Sequence, residues 1–237
     1  MRSLGVIQHT SPDYLGLIED HLEGRRIGFR YFRPFTENTV VPPFEEIGDC
    51  LCLLGGGPWG AAGTRDVPTL AEEVALARTA LMMDHPILAF GLGAQILALA
   101  ADGKVEPAPL AFRVGHVTRT EETALNGFLP ERVPCVSYMR DRAVPPAYAR
   151  VLAEDEEGDP ALWQIGDKVL AFSFHPGFKL AIAEDLIMEF EESPDGIGPD
   201  LTRAGAMKRE IEDALVPMMT GIVQILGLMR PADGTGA

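Results

Sequence analysis

The chain has 237 residues and a net charge of -15, with 46% hydrophobic and 23% charged residues, a composition typical of a globular protein. So large an acidic excess argues against nucleic acid and anionic membrane as partners. The three cysteines show no disulfide framework. Without a membrane-length apolar run or a secretory leader, the sequence predicts a cytoplasmic protein.

The first half of the chain alternates apolar strand patterns with helix patterns. Strands are predicted at 4–9, 27–32 and 50–54, and Ser11 or Asp13 could cap a helix at 14–22. Thr69-Leu-Ala-Glu72 has capping-box spacing and begins a helix that runs to about residue 83. This order predicts an α/β fold, with a mostly parallel sheet flanked by helices and a ligand site at the carboxyl ends of the strands.

A strand, a glycine turn and a helix follow directly after one another at residues 87–101. The run 87–90 is apolar, Gly91-Leu-Gly93 turns the chain, and 94–101 has a helical pattern that ends before Gly103. This is the arrangement of a nucleophile elbow, which raises one side chain above the carboxyl end of a sheet. Here the raised position is Gly91, which carries no side chain.

The second half is rich in short strands. They are predicted at 111–120, 133–138, 149–153, 161–165 and 169–174, followed by a helix at 180–190. A longer helical pattern covers 201–229, and Pro217 should kink or split it. One face of that pattern is apolar and could pack on the core or form a dimer interface: Ile211, Leu215, Met218, Met219, Ile222, Ile225 and Leu226. We expect a single domain over 1–230 and a flexible tail over 231–237.

Three motifs resemble those of class I glutamine amidotransferases. Ala89-Phe-Gly-Leu-Gly-Ala-Gln95 is similar to the Gly-Ile-Cys-Leu-Gly-x-Gln elbow of that family, and Phe172-Ser-Phe-His-Pro-Gly177 is similar to its His-Pro-Glu motif. Gly56-Gly-Pro58 is similar to its oxyanion loop. The motifs keep the family's order over roughly residues 4–190 and imply a flavodoxin-like fold. The nucleophilic cysteine and the triad glutamate of the family are both glycine here.

The resemblance also implies roles for individual residues. His175 corresponds to the triad base, and the N–H groups of Gly57 and Leu92 to the oxyanion donors. Gln95 corresponds to a residue that holds the substrate glutamine, although a local hydrogen bond is an equal reading. Asp141 is retained from a family loop near the site. Arg140 and Arg142 in that loop would add positive charge at the pocket mouth, unless the loop is simply solvated.

Loss of the thiol at position 91 and of the carboxylate at position 177 favours a protein without glutaminase activity. Such a protein would have a binding, regulatory or subunit role. Its ligand would be glutamine or another small carboxylate, and its partner a synthase-type subunit or a second copy. The sequence shows no metal-ligand spacing and implies no cofactor.

The alternative is an active amidotransferase or hydrolase that uses the same pocket with non-standard residues. His175 would then act with a water or a metal, with His9 and His116 as contributors. Residual amidotransferase activity would need a cysteine from elsewhere. Cys50 and Cys52 are poor candidates because they lie within a continuous apolar strand, where a thiol is buried and unreactive.

Overall fold

The computed structural model describes residues 2–36 and 40–229. Strands and helices are numbered in chain order. The strands are β1 (Ser3–Ile7), β2 (Gly28–Phe32), β3 (Cys50–Leu53), β4 (Ile87–Phe90), β5 (Lys104–Glu106), β6 (Ala111–Arg119), β7 (Arg132–Met139), β8 (Arg142–Val144), β9 (Arg150–Glu154), β10 (Pro160–Ile165) and β11 (Val169–Phe172). The helices are α1 (Ile18–Gly24), α2 (Leu70–Met82), α3 (Leu92–Ala100), α4 (Leu180–Glu189), α5 (Ile197–Ala206) and α6 (Lys208–Ile225). The predicted tail, 231–237, lies outside the described residues.

Within the described ranges, nine strands form one sheet in the order β2-β1-β3-β4-β11-β10-β9-β6-β7. The first five strands of that order are parallel, and the remaining neighbours are antiparallel. Every residue of β3, β4 and β11 is buried. Continuous apolar strands are typical of a parallel sheet that is covered on both faces. The predicted α/β fold with a strand-rich second half is therefore confirmed.

The helices form a layer on each face of the sheet. Buried side chains of α1 and α6 belong to one core cluster with the sheet, and those of α2 and α3 belong to another. A third cluster joins α4 and α5 to β6 and β7. Among the described residues, no helix is long and apolar enough to cross a membrane.

The C-terminal helical region breaks at Met207 and not at the predicted Pro217. Pro217 lies inside α6, which continues through it. A proline at this position leaves the carbonyl of Asp213 without its helical donor, and Asp213 is exposed, so water can satisfy that carbonyl. The apolar stripe is largely buried within the chain, which is the core-packing alternative. The surface on which the dimer prediction was based is therefore largely covered by the chain itself.

Two predicted helix caps do not form. Helix α1 begins at Ile18, and neither Ser11 nor Asp13 caps it. Thr69 is the N-cap of α2 but makes no capping hydrogen bond. Its hydroxyl instead donates to Glu73 Oε1 at 2.5 Å. Thr69 therefore bonds locally to a side chain of its own helix, whereas Asp13 is buried against Gly55.

Candidate functional site at the glycine elbow

The site lies where the parallel strands end. His9 follows β1, Gly55 follows β3, Gly91 follows β4 and His175 follows β11. These four strands are neighbours in the order β1-β3-β4-β11. Their carboxyl ends therefore meet at one edge of the sheet, where open α/β sheets bind their ligands.

The backbone at Gly91 has the conformation of an elbow. Its φ is 52° and its ψ is -113°, a region in which other residues are strained. The Gly91 N–H donates to Phe172 O at 2.9 Å, and the Gly93 N–H donates to Leu54 O at 2.9 Å. A Cβ added at Gly91 would lie 3.5 Å from the Cα of Gly55, an ordinary contact. The elbow thus has room for a side chain that the sequence does not supply.

His175 is held by the main chain and not by a carboxylate. Its Nε2 lies 2.7 Å from the carbonyl oxygen of Tyr14, so Nε2 carries the hydrogen. The ring stacks on Phe90 with centroids 5.5 Å apart, and the residue is 8% exposed. Burial lowers the pKa of His175, against a smaller raising effect of Asp13. Its Nδ1 is buried and has no hydrogen-bond partner among the described residues.

Gly177, the position at which the resemblance implies a triad glutamate, is covered by another part of the chain. A Cβ added at Gly177 would lie 2.7 Å from Ile18 Cγ1 and 3.0 Å from Ile18 N. The carbonyl of Gly177 accepts a hydrogen bond from the Leu17 N–H at 2.8 Å. The segment that precedes α1 therefore packs directly on Gly177 and leaves no space for a longer side chain.

Asp13 lies beside Gly57, one of the two predicted oxyanion donors. It is 5% exposed, and the nearby N–H of Gly57 favours its charged form. A Cβ at Gly55 would lie 2.3 Å from Asp13 Oδ2, so the carboxylate rests against bare backbone. Burial raises the pKa of Asp13, and His175, His9 and the Gly57 N–H oppose that effect only in part. An acidic side chain thus lies beside an N–H group that the family resemblance implies as an oxyanion donor.

A buried ion pair between His9 and Glu73 lies next to Gly55. His9 Nε2 lies 2.6 Å from Glu73 Oε2, and His9 Nδ1 lies 2.8 Å from the carbonyl oxygen of Gly55. The two side chains are 1% and 0% exposed. Burial lowers the pKa of His9, but Glu73, the Gly55 carbonyl and Asp13 together outweigh it, and the pKa is raised overall. Both ring nitrogens face acceptors, so His9 is an imidazolium with two donors.

The remaining space at the elbow is small. A cavity of about 30 Å³ is lined by Gly91, Asp13, His175, Ser137 and Ser173, among others. That volume holds a water molecule and not an amino acid. The cavity brings together predicted positions 91 and 175, while Asp13, which the sequence assigned to a helix cap, completes it.

The two predicted oxyanion donors have different surroundings. Gly57 has a φ of 55° and packs against Leu186, where a Cβ would lie 2.7 Å from Cδ2. Leu92 is the first residue of α3, so its N–H has no acceptor within the helix. One donor lies beside the Asp13 carboxylate, and the other belongs to the positive end of a helix dipole.

Gln95 and Asp141 make contacts within the fold. Gln95 Nε2 donates to the carbonyl of Arg140 at 2.7 Å. The Asp141 carboxylate accepts hydrogen bonds from the N–H groups of Ala61, Ala62 and Ala108, each at 3.1 Å. Neither residue lines the elbow cavity formed by the described residues. In this structure both tie the loop after β7 to its neighbours.

The two arginines of that loop are paired with acidic side chains. Arg140 donates to Glu192 and to the carbonyl of Pro58, and Arg142 donates to Glu106 and Asp159. Their charge is therefore partly neutralised.

The thiols lie outside the site. Cys50 and Cys52 are buried, and burial raises their pKa values. Burial also raises the pKa of Cys135 to about 12. His116 pairs with Glu210 at 2.7 Å and does not line the elbow cavity of the described residues.

One acidic group outside the elbow has the geometry for a cation. The carboxylates of Asp155, Glu157 and Asp159 lie within 4.8 Å of one another at the turn between β9 and β10. Asp155 already accepts two backbone N–H groups there, and Asp159 pairs with Arg142. This group is part of a surface turn and not of the elbow.

Comparisons with solved structures support the overall fold. A glutamine amidotransferase from Thermotoga maritima has 20% identity and a TM-score of 0.76, covering 95% of this chain and 98% of its own. One from Methylobacillus flagellatus has 17% identity and a TM-score of 0.75, covering 100% and 99%. A Thermoplasma acidophilum protein described as a GMP synthase subunit has 17% identity and a TM-score of 0.55, covering 90% and 98%.

No protein-family model matches the sequence, and no curated protein does. The structural likeness therefore establishes the fold: the chain has the class I glutamine amidotransferase-like, flavodoxin-like architecture.

The sequence indicates His9 as a contributor to the alternative function, but it does not indicate its partner Glu73 or the position of Asp13 at the site. His9 and Glu73 are 64 residues apart, and Asp13 looked like a helix cap. One signal was available, since His9 and Asp13 follow the first apolar strand and would reach the carboxyl edge of a parallel sheet. Nothing in the local sequence of α2 distinguishes Glu73 from the exposed Glu72 beside it.

Proposed function

We propose that this chain is a glutamine amidotransferase-like protein that lacks glutaminase activity and has a binding, regulatory or subunit role. The observation that carries the proposal is the elbow at Gly91, which keeps its backbone and its space but has no nucleophile. Thioester chemistry needs a thiolate, a base, a group that orients the base, and oxyanion donors. Two of these four, the thiolate and the group that orients the base, are absent among the described residues at the site, and the Asp13 carboxylate lies beside one of the implied oxyanion donors.

Further roles follow from the same proposal. The chain would act as one 1–230 domain in the cytoplasm, alone or beside a synthase-type subunit. The Thermoplasma acidophilum neighbour, described as part of a GMP synthase, supports the subunit role. A small carboxylate is the ligand class that suits a site with N–H donors and imidazolium charge.

A second candidate is a hydrolase that uses the same pocket. It draws on one observation, the buried Nδ1 of His175 without a partner at the cavity of the described residues. An imidazole at a pocket can act as a general base when a substrate is within hydrogen-bond reach. His175 is oriented by a backbone carbonyl and not by a carboxylate, which makes this candidate the weaker one.

Glutamine hydrolysis by the purified full chain tests the proposal. We expect glutamate and ammonia release at the rate of the buffer blank, with the same result for His175→Ala. Turnover that His175→Ala abolishes would refute the proposal and favour the hydrolase. Turnover that survives both His175→Ala and Asp13→Asn would identify a contaminating glutaminase. Asp13→Asn is needed as a control because Asp13 is the one other base that lines the cavity among the described residues.

A further inference from the structure

We propose that the elbow cavity is a binding site for a small organic carboxylate, and that the Asp13 side chain is its tethered resident ligand, which a free acid displaces. This inference deepens the proposed function and rests on it, because it names the ligand class of a site without glutaminase chemistry. It differs from a glutamine site, in which the oxyanion donors receive the oxygen of a neutral amide only as it reacts.

The first support is the contact that Asp13 already makes. Its carboxylate lies against the bare backbone of Gly55, where a Cβ would approach Oδ2 to 2.3 Å, and the nearby N–H of Gly57 favours its charged form. A carboxylate is therefore the group that this backbone cradle fits in the structure itself. Hydrogen bonds from backbone N–H groups to a charged acceptor are the strong class of such bonds.

The second support is the charge around the cradle. His9 donates from both ring nitrogens, to Glu73 and to the Gly55 carbonyl, and is therefore an imidazolium buried next to the site. Helix α3 begins at Leu92, directly after the elbow, and presents the positive end of its dipole. Both features favour an anion over a neutral carboxamide.

The third support is the vacant hydrogen-bonding capacity of His175. Its Nδ1 is buried, has no partner among the described residues and belongs to a ring that lines the cavity. A buried polar atom without a partner costs free energy. A carboxylate can use Nδ1 only together with one proton, brought by the protonated acid or taken up from water, and that proton is then shared between Nδ1 and the carboxylate oxygen.

The tether explains why the cavity is small. Asp13 lies in the irregular segment between β1 and α1, and the space left beside it is about 30 Å³. A side chain on a short tether competes at an effective concentration in the millimolar range or above. A free carboxylate must therefore bind the intact protein more weakly than a variant without the Asp13 carboxylate.

The test uses sodium formate as the probe, with the full chain at constant ionic strength and sodium chloride as the matched salt. Three variants are compared with the unmodified protein: Asp13→Ala, Asp13→Asn and the surface control Asp20→Ala. We expect formate to raise the melting temperature of Asp13→Ala in a saturable way. The formate concentration that gives half of the maximal rise should be at least tenfold lower than for the unmodified protein. Asp13→Asn, whose neutral amide fills the cradle but competes less well than a carboxylate, should gain part of this tighter binding, and Asp20→Ala should gain none. A response of Asp13→Ala to formate no larger than its response to chloride would overturn the inference.

A second measurement uses the unmodified protein and so does not depend on the stability of Asp13→Ala. Histidine ring resonances are followed by NMR during a formate titration. We expect the His175 resonances to shift while those of His116, which is paired with Glu210 on another face, stay constant. Constant His175 resonances up to molar formate would overturn the displacement. A positive glutaminase assay refutes the proposed function whatever formate does, whereas failed formate binding with no glutaminase refutes this inference alone.

Discussion

At the scale of single residues, the glycines at positions 91 and 177 differ in the side chains that they permit. Gly91 sits at a φ of 52° with an open direction for a side chain. Gly177 is enclosed by Ile18 and Leu15. A longer side chain should therefore fit at position 91 and should not fit at position 177.

Gly91→Cys should fold and should be less stable by about 1–3 kcal/mol, because a non-glycine residue is strained in this backbone region. Its thiol should be labelled by iodoacetamide only slowly in the folded protein, because the cavity beside it has room for about one water molecule. Glutaminase activity should stay at background, because His175 is oriented by a backbone carbonyl and not by a carboxylate. Urea denaturation, mass spectrometry of the labelled protein and an ammonia assay check these three points.

Gly91→Ala is the matched control for that variant. It should show the same loss of stability without new labelling. Recovered glutamine hydrolysis in Gly91→Cys would show that the remaining site is catalytically competent and would contradict this reading.

Gly177→Glu should be strongly destabilising and should restore no triad. The new side chain would overlap Ile18, and overpacking of this kind costs about 1–3 kcal/mol or more. Gly198→Glu is the control, since Gly198 lies within α5 with nothing within 4 Å of an added Cβ. The free energy of unfolding of the control should stay near that of the unmodified chain. Equal stability of the two variants would disprove the steric argument.

At the scale of elements, the segment between β1 and α1 and the first turns of α2 decide the charge of the site. His9 and Asp13 come from the former, Glu73 from the latter, and Thr69 holds Glu73 by its hydroxyl. A buried ion pair loses stability when one partner is removed, because the other charge is left uncompensated.

Glu73→Gln should lower the free energy of unfolding by about 3–5 kcal/mol at low pH. The pKa of His9 is raised above its usual 6.5 in the folded state, with Glu73 as the main raising partner and Asp13 as a further one. A raised folded pKa means that the pair's stabilisation is fully present below pH 6.5 and is lost as the pH rises through the folded pKa. The difference between the variant and the unmodified chain should therefore be largest near about pH 6 and should shrink in alkali.

Denaturation curves at several pH values measure this difference, with Glu72→Gln on the exposed side of α2 as the control. The control should change the free energy of unfolding by less than about 0.5 kcal/mol at every pH. A Glu73→Gln effect that grows as the pH rises would contradict an imidazolium at position 9.

At the scale of the whole molecule, the methionine-rich face of α6 is used inside the chain. Met218 and Met219 are each 1% exposed, and they belong to the core cluster that includes Leu125 and Val133. Val216, on the opposite face of the same helix, is 55% exposed. The buried face of the helix thus covers one face of the sheet, and its opposite face is exposed to solvent.

Met219→Ala should cost about 2–5 kcal/mol of stability, because it opens a cavity in the core. Val216→Ala, on the exposed face, should cost less than about 0.5 kcal/mol. Neither variant should alter the sedimentation coefficient relative to the unmodified chain. A dimer that dissociates in Met219→Ala under native conditions would show instead that the stripe is an interface.

The fold and the elbow could be predicted from the sequence because both depend on short-range patterns. Apolar runs such as 87–90 predict buried parallel strands, and the glycines at 91 and 93 predict the tight turn that follows. The order of the three motifs placed Gly91 and His175 at the same edge of the sheet. The absence of a side chain at position 91, where the resemblance implies a nucleophile, is also visible without a structure.

Only the tertiary structure decided what fills the site. Asp13 reads as a helix cap in its local sequence, yet burial beside Gly57 and His175 gives it partners that lie far along the chain. Glu73 looks like any acidic residue of an exposed helix turn, but it meets His9 across 64 residues. A buried charge is stable only with partners from other elements. Local periodicity carries no information about those partners, so the chemistry of the pocket emerged only once the strands were assembled.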